Sequence, residues 1–308
     1  VNPTQPTSLP GPITFAIPFY RGLDYLTRAV ASVTRQTSPD WRLLICDDSP
    51  AGDAEGSLDR SDNRVRYVRN GRTLGMAGNW NQCLDLADTD LVTLLHADDE
   101  LLPNYTCIMR NGAGKYPTCA ALFCGARVVG PDSEPVFSFA DWIKRALTPA
   151  SSSPRRLHGP HAIARLLRVN SIMCPTVCYR KSVIGTRRFD ARWRCALDLA
   201  FFTGLLADGE ELVGLPTSAY AYRRHTENAT AGYTESLLKF VEEAALYDEL
   251  AAKAKARGWP EVARVGRSKL MVRLHLLFRL VRDTTRGRLA AAWAKTQLLA
   301  RLSAFTFE

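Results

Sequence analysis

The chain is 308 residues long, 46% hydrophobic, with a formal net charge of +9. That length can bury a full core as one large domain or two ordinary ones. The opening VNPTQPTSLPGP does not read as a secretory signal, and no uncharged apolar run reaches the roughly 18 residues of a membrane span, so a soluble cytoplasmic protein is expected.

Residues 1–12, rich in Pro, Thr and Ser, read as a disordered leader. ITFAIPFY predicts a buried strand, and LDYLTRAVASVTRQT a helix with Leu23, Leu26, Ala29, Val30 and Val33 at helical spacing. WRLLICDDS is a second strand ending in acids, and RVRYVRN a short alternating third. GMAGNWNQCLDLA opens a helix behind a Gly-bearing loop, and LVTLLHADDE is a fourth strand that again ends in acids. The order β-α-β-β-α-β predicts a mostly parallel α/β sheet. CAALFCGARVVG adds a strand, followed by an irregular stretch to about residue 160. HAIARLLRV is a short helix, MCPTVCYRKSVI a strand running into a turn, LDLAFFTGLLADG a helix stopping at Gly209, and ELVGLPTSAYAYRRH one or two strands ending in a basic loop. From about Glu235 the pattern is wholly helical.

Eight scattered cysteines, without the paired spacing of a zinc knuckle, read as free thiols in a reducing compartment. In open parallel sheets, ligands bind beyond the carboxyl ends of the strands. Asp47-Asp48 and Asp98-Asp99 both stand at such ends, so one rim carries two acidic pairs. A hard divalent ion such as Mg²⁺ or Mn²⁺ takes oxygen ligands, tolerates an imidazole when it is Mn²⁺, and is commonly held by one or two carboxylates plus substrate phosphates. Asp98 and Asp99 offer those carboxylates, although an Asp-Asp-Glu run can equally cap the next helix or solvate a loop. Tyr20, just after Pro18 and Phe19, is either a ligand-stacking ring or an ordinary half-buried aromatic. His225 follows the last strand beside Arg223 and Arg224, and Asp198 opens an apolar helix, where the helix dipole alone would favour it. The loop NGRTLGMAGNWN precedes a helix, so its amides can approach a phosphate or ribose. With neither GxGxxG nor GxxxxGK[ST] present, kinase-type and dinucleotide readings lose their support.

The segments IPFYRGLDYLTRAVASVTRQTSPDWRLLICDDSP, GMAGNWNQCL, LLHADDELLPN, ALDLAFF and YRRHTENAT, in that order, resemble the family-2 glycosyltransferases over about residues 13–235. The resemblance implies the GT-A fold, a Rossmann-like, mostly parallel sheet flanked by helices, with residues 236–308 as a C-terminal helical extension. It implies an inverting transfer of a sugar from a nucleotide-sugar donor to a hydroxyl of a glycan or lipid-linked acceptor, in cell-envelope or surface polysaccharide synthesis. By this resemblance Asp98, Asp99 and His225 hold a divalent metal, Mn²⁺ or Mg²⁺, that bridges the donor diphosphate, and one of the acids also reaches the ribose. His96 stands where the family often has an acid, which leaves open whether Asp98 or Asp99 is the main ligand. The resemblance makes Asp48 the acceptor for a ring N–H of the base, favouring a UDP- or dTDP-sugar. It sets Tyr20 and the backbone of Pro18 against that base, and makes Asp198 the general base toward the acceptor hydroxyl.

A sugar-phosphate nucleotidyltransferase would want a Gly- and Lys/Arg-rich loop where FYRGLDY stands. A nucleic-acid-binding protein would rest on the basic tail, but no reader motif accompanies it, so nucleic acid is not an expected partner. Residues 264–308 hold ten Lys or Arg against two acids, a net +8. Within them Leu270, Met271, Leu274, Leu277, Phe278 and Val281 form one helical stripe. Such a stripe usually covers its own protein, and the alternative here is peripheral contact with an anionic membrane surface.

Overall fold

The computed structural model describes residues 10–52, 54–57, 61–136, 152–225 and 229–304. Most of the leader expected over residues 1–12, and much of the irregular stretch before residue 160, lie outside the described residues. Strand β1 (Ile13–Phe19) is buried almost throughout, which requires cover on both faces of the sheet. On one face Phe15, Ile17 and Phe19 meet α1 (Leu23–Thr34) and α3 (Tyr105–Lys115). On the other, Ala16 meets α2 (Gly75–Leu86) and a large set of later helices. α1 buries Leu26, Ala29 and Val33, whereas Leu23, at its first position, remains exposed.

β2 (Trp41–Asp47) and β4 (Leu91–Leu94) flank β1 in parallel, and β3 (Val65–Arg69) extends the sheet beyond β2. Beside β4 the chain inserts β8 (Val177–Arg180) antiparallel, and β6 (Ala121–Val129) lies antiparallel to β8. Two reversals restore the original direction, and β9 (Glu211–Arg223) runs parallel to β6. Six of the nine described strands therefore point one way, the mostly parallel sheet expected, and β1, β2, β4 and β9 all end on the same rim. β5 (Glu100–Leu101) and β7 (Arg155–His158) each pair antiparallel with β9. β7 escaped the sequence pattern because RRLH carries a single fully buried apolar residue, Leu157.

The helices after the sheet do more than append to it. α4 (Gly159–Arg168), α6 (Leu197–Ala207), α8 (Leu238–Ala256) and α9 (Pro260–Ser268) share one core, in which Phe240, Tyr247 and Val262 join Leu166 and Phe202. The Tyr247 hydroxyl donates to the Leu167 carbonyl at 2.7 Å. Two short helices, α5 (Lys181–Ile184) and α7 (Ala229–Glu235), connect these layers. α10 (Leu270–Thr285) and α11 (Leu289–Ala304) form an antiparallel hairpin, clipped by a buried Lys295–Asp283 pair at 2.8 Å. α10 packs through Val272 and Leu276. The expected burial of its apolar stripe is corrected here: Leu270, Leu274, Leu277, Phe278 and Val281 are 44–57% exposed.

Candidate active site

The acidic run sits where β4 stops and the chain turns into β5, with the Asp99 N–H donating to the His96 carbonyl at 3.1 Å. Asp99 is buried, and both its oxygens are engaged: one accepts the Arg223 backbone N–H at 2.7 Å, the other the Tyr220 hydroxyl at 3.1 Å. Burial, with the neighbouring Asp98 charge, pushes its carboxyl well above the usual carboxylate range. Asp99 thereby stitches the acidic turn to the end of β9.

Asp98 points the other way. Its side chain is 31% exposed, and one oxygen lies 2.9 Å from His225 Nε2. The His225 ring stacks on Tyr25 of α1, centroids 5.0 Å apart. Arg223, two residues before His225, is fully buried. It donates to the carbonyls of Asp98 (2.9 Å), Gly130 (2.8 Å) and Pro131 (2.7 Å) and to the Ser133 hydroxyl (2.9 Å), and it pairs with Glu100. A guanidinium with five donors can brace several carbonyls at once, and here it fixes the loop on which Asp98 rides.

His96 lies on the inner side of the turn. Its Nδ1 is 3.9 Å from an Asp99 oxygen, its ring leans on Trp80 at 5.3 Å, and its Nε2 is buried without a hydrogen-bond partner. Burial lowers its pKa, which favours the neutral imidazole, the form that binds metals. His96, Asp98 and Asp99 each offer a ligand atom within 4.8 Å of the others. Two carboxylates with flanking imidazoles and no thiolate fit a hard or borderline divalent ion such as Mn²⁺ or Mg²⁺. The orphaned His96 nitrogen is the kind of atom such a site leaves waiting.

At the end of β2, Asp47 and Asp48 both turn inward. Asp47 accepts the N–H groups of Ser49 (2.8 Å) and Ala54 (3.2 Å) and the Tyr67 hydroxyl (2.8 Å). Asp48 accepts the N–H groups of Leu74 (2.7 Å) and Gly75 (2.9 Å) and the Asn70 amide (2.8 Å). Two amides of the loop expected to approach a phosphate, those of Leu74 and Gly75, are thus taken by Asp48, which caps α2. Asn79 ties the same corner together by donating to the Phe19 and Cys46 carbonyls. Pro18 is half-buried within β1, and Tyr20, 51% exposed, stands free at its end. Beside them a cleft opens between Arg21, Gly22, Tyr25, Arg28 and Asp132, so the Tyr25 that carries His225 also lines a cavity.

Asp198 occupies the first turn of α6, its carboxylate accepting the Leu199 N–H at 2.8 Å. It thus takes one amide of the helix start. Glu242 of α8 takes those just ahead of it: its carboxylate accepts the N–H groups of Arg194, Cys195 and Ala196 at 2.7–3.1 Å. The partly buried Cys174 thiol, just before β8, is pushed up by burial and by the charges of Asp198 and Asp99. Tyr25 and Glu242 were not singled out from sequence. Each lies in an ordinary helical pattern, and only the packing of that helix against another segment reveals its role.

A mostly parallel sheet covered by helices on both faces, with acids and imidazoles on its carboxyl rim beside a cleft, is the architecture of a GT-A fold. The model of the Glycosyl transferase family 2 matches residues 14–175, and the chain belongs to that family. An Escherichia coli UDP-Glc:α-D-GlcNAc-diphosphoundecaprenol β-1,3-glucosyltransferase is 29% identical over 93 residues, 30% of this chain and 37% of that protein. The chain matches only about a third of the length of the first curated relatives, 31% and 37%. Among solved structures, Staphylococcus aureus TarS 1-349 in complex with UDP-GlcNAc superposes with a TM-score of 0.58 at 14% identity, over 78% of this chain and 66% of that one. GalNAc-T7 with UDP, GalNAc and Mn²⁺ gives 0.54 at 16% identity, over 72% and 45%. At these identities the structural likeness is one of fold.

Proposed function

We propose that the chain is an inverting, metal-assisted glycosyltransferase that moves a sugar from a nucleotide-sugar, UDP- or dTDP-linked in preference, to a hydroxyl of a glycan or lipid-linked acceptor in cell-envelope polysaccharide synthesis. The observation that carries this is the Asp98–His225 contact, 2.9 Å between residues 127 apart in sequence, beside the His96 and Asp99 ligand atoms. Asp98 is the principal ligand because it alone of the two acids faces the open side. His225 and His96 flank it, and Asp99 holds the turn in register. When bound, a divalent ion supplies Lewis-acid stabilisation of the charge that develops on the departing diphosphate. Asp198 accepts the proton of the acceptor hydroxyl as its oxygen attacks the anomeric carbon, and one direct displacement inverts that centre. Asp48 keeps acceptor capacity on its less engaged oxygen for a ring N–H, with Tyr20 and the Pro18 backbone beside it.

The Escherichia coli relative's UDP-glucose donor and diphosphoundecaprenol acceptor, and the UDP and Mn²⁺ held by GalNAc-T7, support the same choice of substrates and ion here. A lipid-linked acceptor would bring the enzyme to the inner face of a membrane. Calorimetric titration of UDP, dTDP and GDP with Mn²⁺ and with EDTA tests the reading. Tight binding of a pyrimidine diphosphate that EDTA abolishes is expected, and equal affinity in both conditions would sink it.

A further inference from the structure

α10 is apolar on two opposite sides. At 3.6 residues per turn, Val272 and Leu276 stand roughly 180° from the row Leu270, Leu274, Leu277, Phe278 and Val281. The first pair is buried in the protein, whereas every member of the row is exposed, Leu270 to 57% and Val281 to 55%. In a water-soluble helix the side away from the core is ordinarily polar. On α11, Leu289 (70%) and Trp293 (64%) repeat the pattern at a spacing of four.

The charges around this row are of one sign. Arg279 and Arg282 of α10 and Arg286 just after it follow at i, i+3 and i+7; Arg279 is 14% exposed and turned toward the protein, whereas Arg282 is half-buried and Arg286 exposed, and burial together with the charges of Arg279 and Arg286 lowers the Arg282 pKa. The nearby acids are already used: Asp283 pairs with Lys295, and Glu235 is shared between Arg279 and Arg288. Arg282 and Arg286, on the outer side with the nearby Asp283 taken by Lys295, suit an external anion, and the apolar row beside them suits an apolar phase. No described helix is long and apolar enough to cross a membrane.

We infer that the α10–α11 hairpin is a docking face for the surface of an anionic phospholipid bilayer, with Leu274, Leu277, Phe278 and Val281 entering the acyl boundary and Arg282 and Arg286 meeting lipid phosphates. The combination of an apolar ridge with a basic flank is what an interfacial helix requires. A second copy of the chain would cover the apolar row, but it would bring the same positive charge against it. The docking face is independent of the donor site, although it serves the proposed acceptor by keeping the enzyme where a polyprenol-linked sugar lies.

The test uses the whole chain and vesicles sedimented with it. Vesicles containing phosphatidylglycerol should retain at least several-fold more protein at low salt than pure phosphatidylcholine vesicles, and raised salt should release most of it. Leu274→Ser with Phe278→Ser, and separately Arg282→Glu with Arg286→Glu, should each lower retention several-fold. Both variants should keep wild-type affinity for UDP with Mn²⁺, which monitors the fold and separates this inference from the donor reading. Absent sedimentation at low salt, unchanged retention of both variants, or a dimer in sedimentation velocity that Phe278→Ser dissociates would overturn the docking face.

Discussion

Asp98 and Asp99 are chemically identical neighbours with different surroundings, and their substitutions should separate cleanly. Asp99→Ala removes the acceptor for the Arg223 N–H and the Tyr220 hydroxyl in a buried place. Unpaired buried donors cost about 1–3 kcal/mol, so the melting midpoint in denaturant should fall visibly. Asp98→Ala, at a partly exposed side chain, should cost within about 0.5 kcal/mol yet abolish the metal dependence of nucleotide binding. Equal destabilisation by both would contradict the division of labour. What sequence alone could not decide between these two residues was geometric: consecutive side chains point in different directions, and only the pairing of β5 with β9 determines which one faces inward. His96 was legible as a departure from the family pattern, but its unpartnered Nε2 and its Trp80 contact depend on α2 packing against the turn. Asp198 belongs to the same scale. Since Glu242 already satisfies the amides before α6, Asp198→Asn should leave stability and donor affinity near wild type while lowering turnover by about 10²-fold or more. Turnover unchanged on a working acceptor would return Asp198 to a helix-start role.

Among the elements, the strands were the most legible part of the chain, because a run such as ITFAIPF has to be buried on both faces and β1 is. The insertion of β8 between β4 and β6 was not legible, since periodicity carries no information about which strand pairs with which. The role of α8 was also hidden. Its pattern announced a helix, but not that Glu242 would gather three N–H groups at the start of α6. Losing an N-terminal cap of this kind costs about 0.5–2 kcal/mol. Glu242→Ala should therefore lower stability modestly and turnover more, by loosening the residues that hold Asp198, with donor affinity preserved; calorimetry and single-turnover rates on one sample would separate the two effects. In the hairpin, Lys295 holds the Asp283 carboxyl below the usual carboxylate range. A carboxyl with a depressed folded pKa stabilises above its unfolded value near 4 and loses that contribution as pH falls toward its folded one. Hydrogen exchange in α10 and α11, corrected for its intrinsic pH dependence, should lose protection selectively below about pH 4, and Asp283→Asn should produce the same loss at neutral pH.

For the molecule as a whole, the boundary drawn in the sequence near residue 235 falls after the last described strand but does not divide one core from another. Phe240, Leu246, Tyr247 and Val262 lie in the same apolar cluster as Phe202, Leu205 and Leu166. Cutting the chain after residue 235 would expose that cluster and remove the Glu242 cap together, so the product should aggregate or melt far below the intact protein, because burying large apolar side chains contributes about 1.5–3 kcal/mol each. Cutting after Ser268 is a different operation. It removes the hairpin, whose inward contacts centre on Val272 and Leu276, and spares α8, α9 and the cap. That shorter chain should lose some stability, retain metal-dependent nucleotide binding, and stop sedimenting with anionic vesicles. The two truncations together ask whether the helices after the sheet are one unit or two: an inner layer that completes the catalytic core and an outer hairpin that faces the bilayer. If the chain ending at Ser268 unfolds as completely as the one ending at residue 235, the hairpin is part of the core. If it folds, binds nucleotide and ignores vesicles, the exposed row of α10 is not needed to complete the fold, and its lipid-facing role stands apart from the chemistry at Asp98 and Asp198.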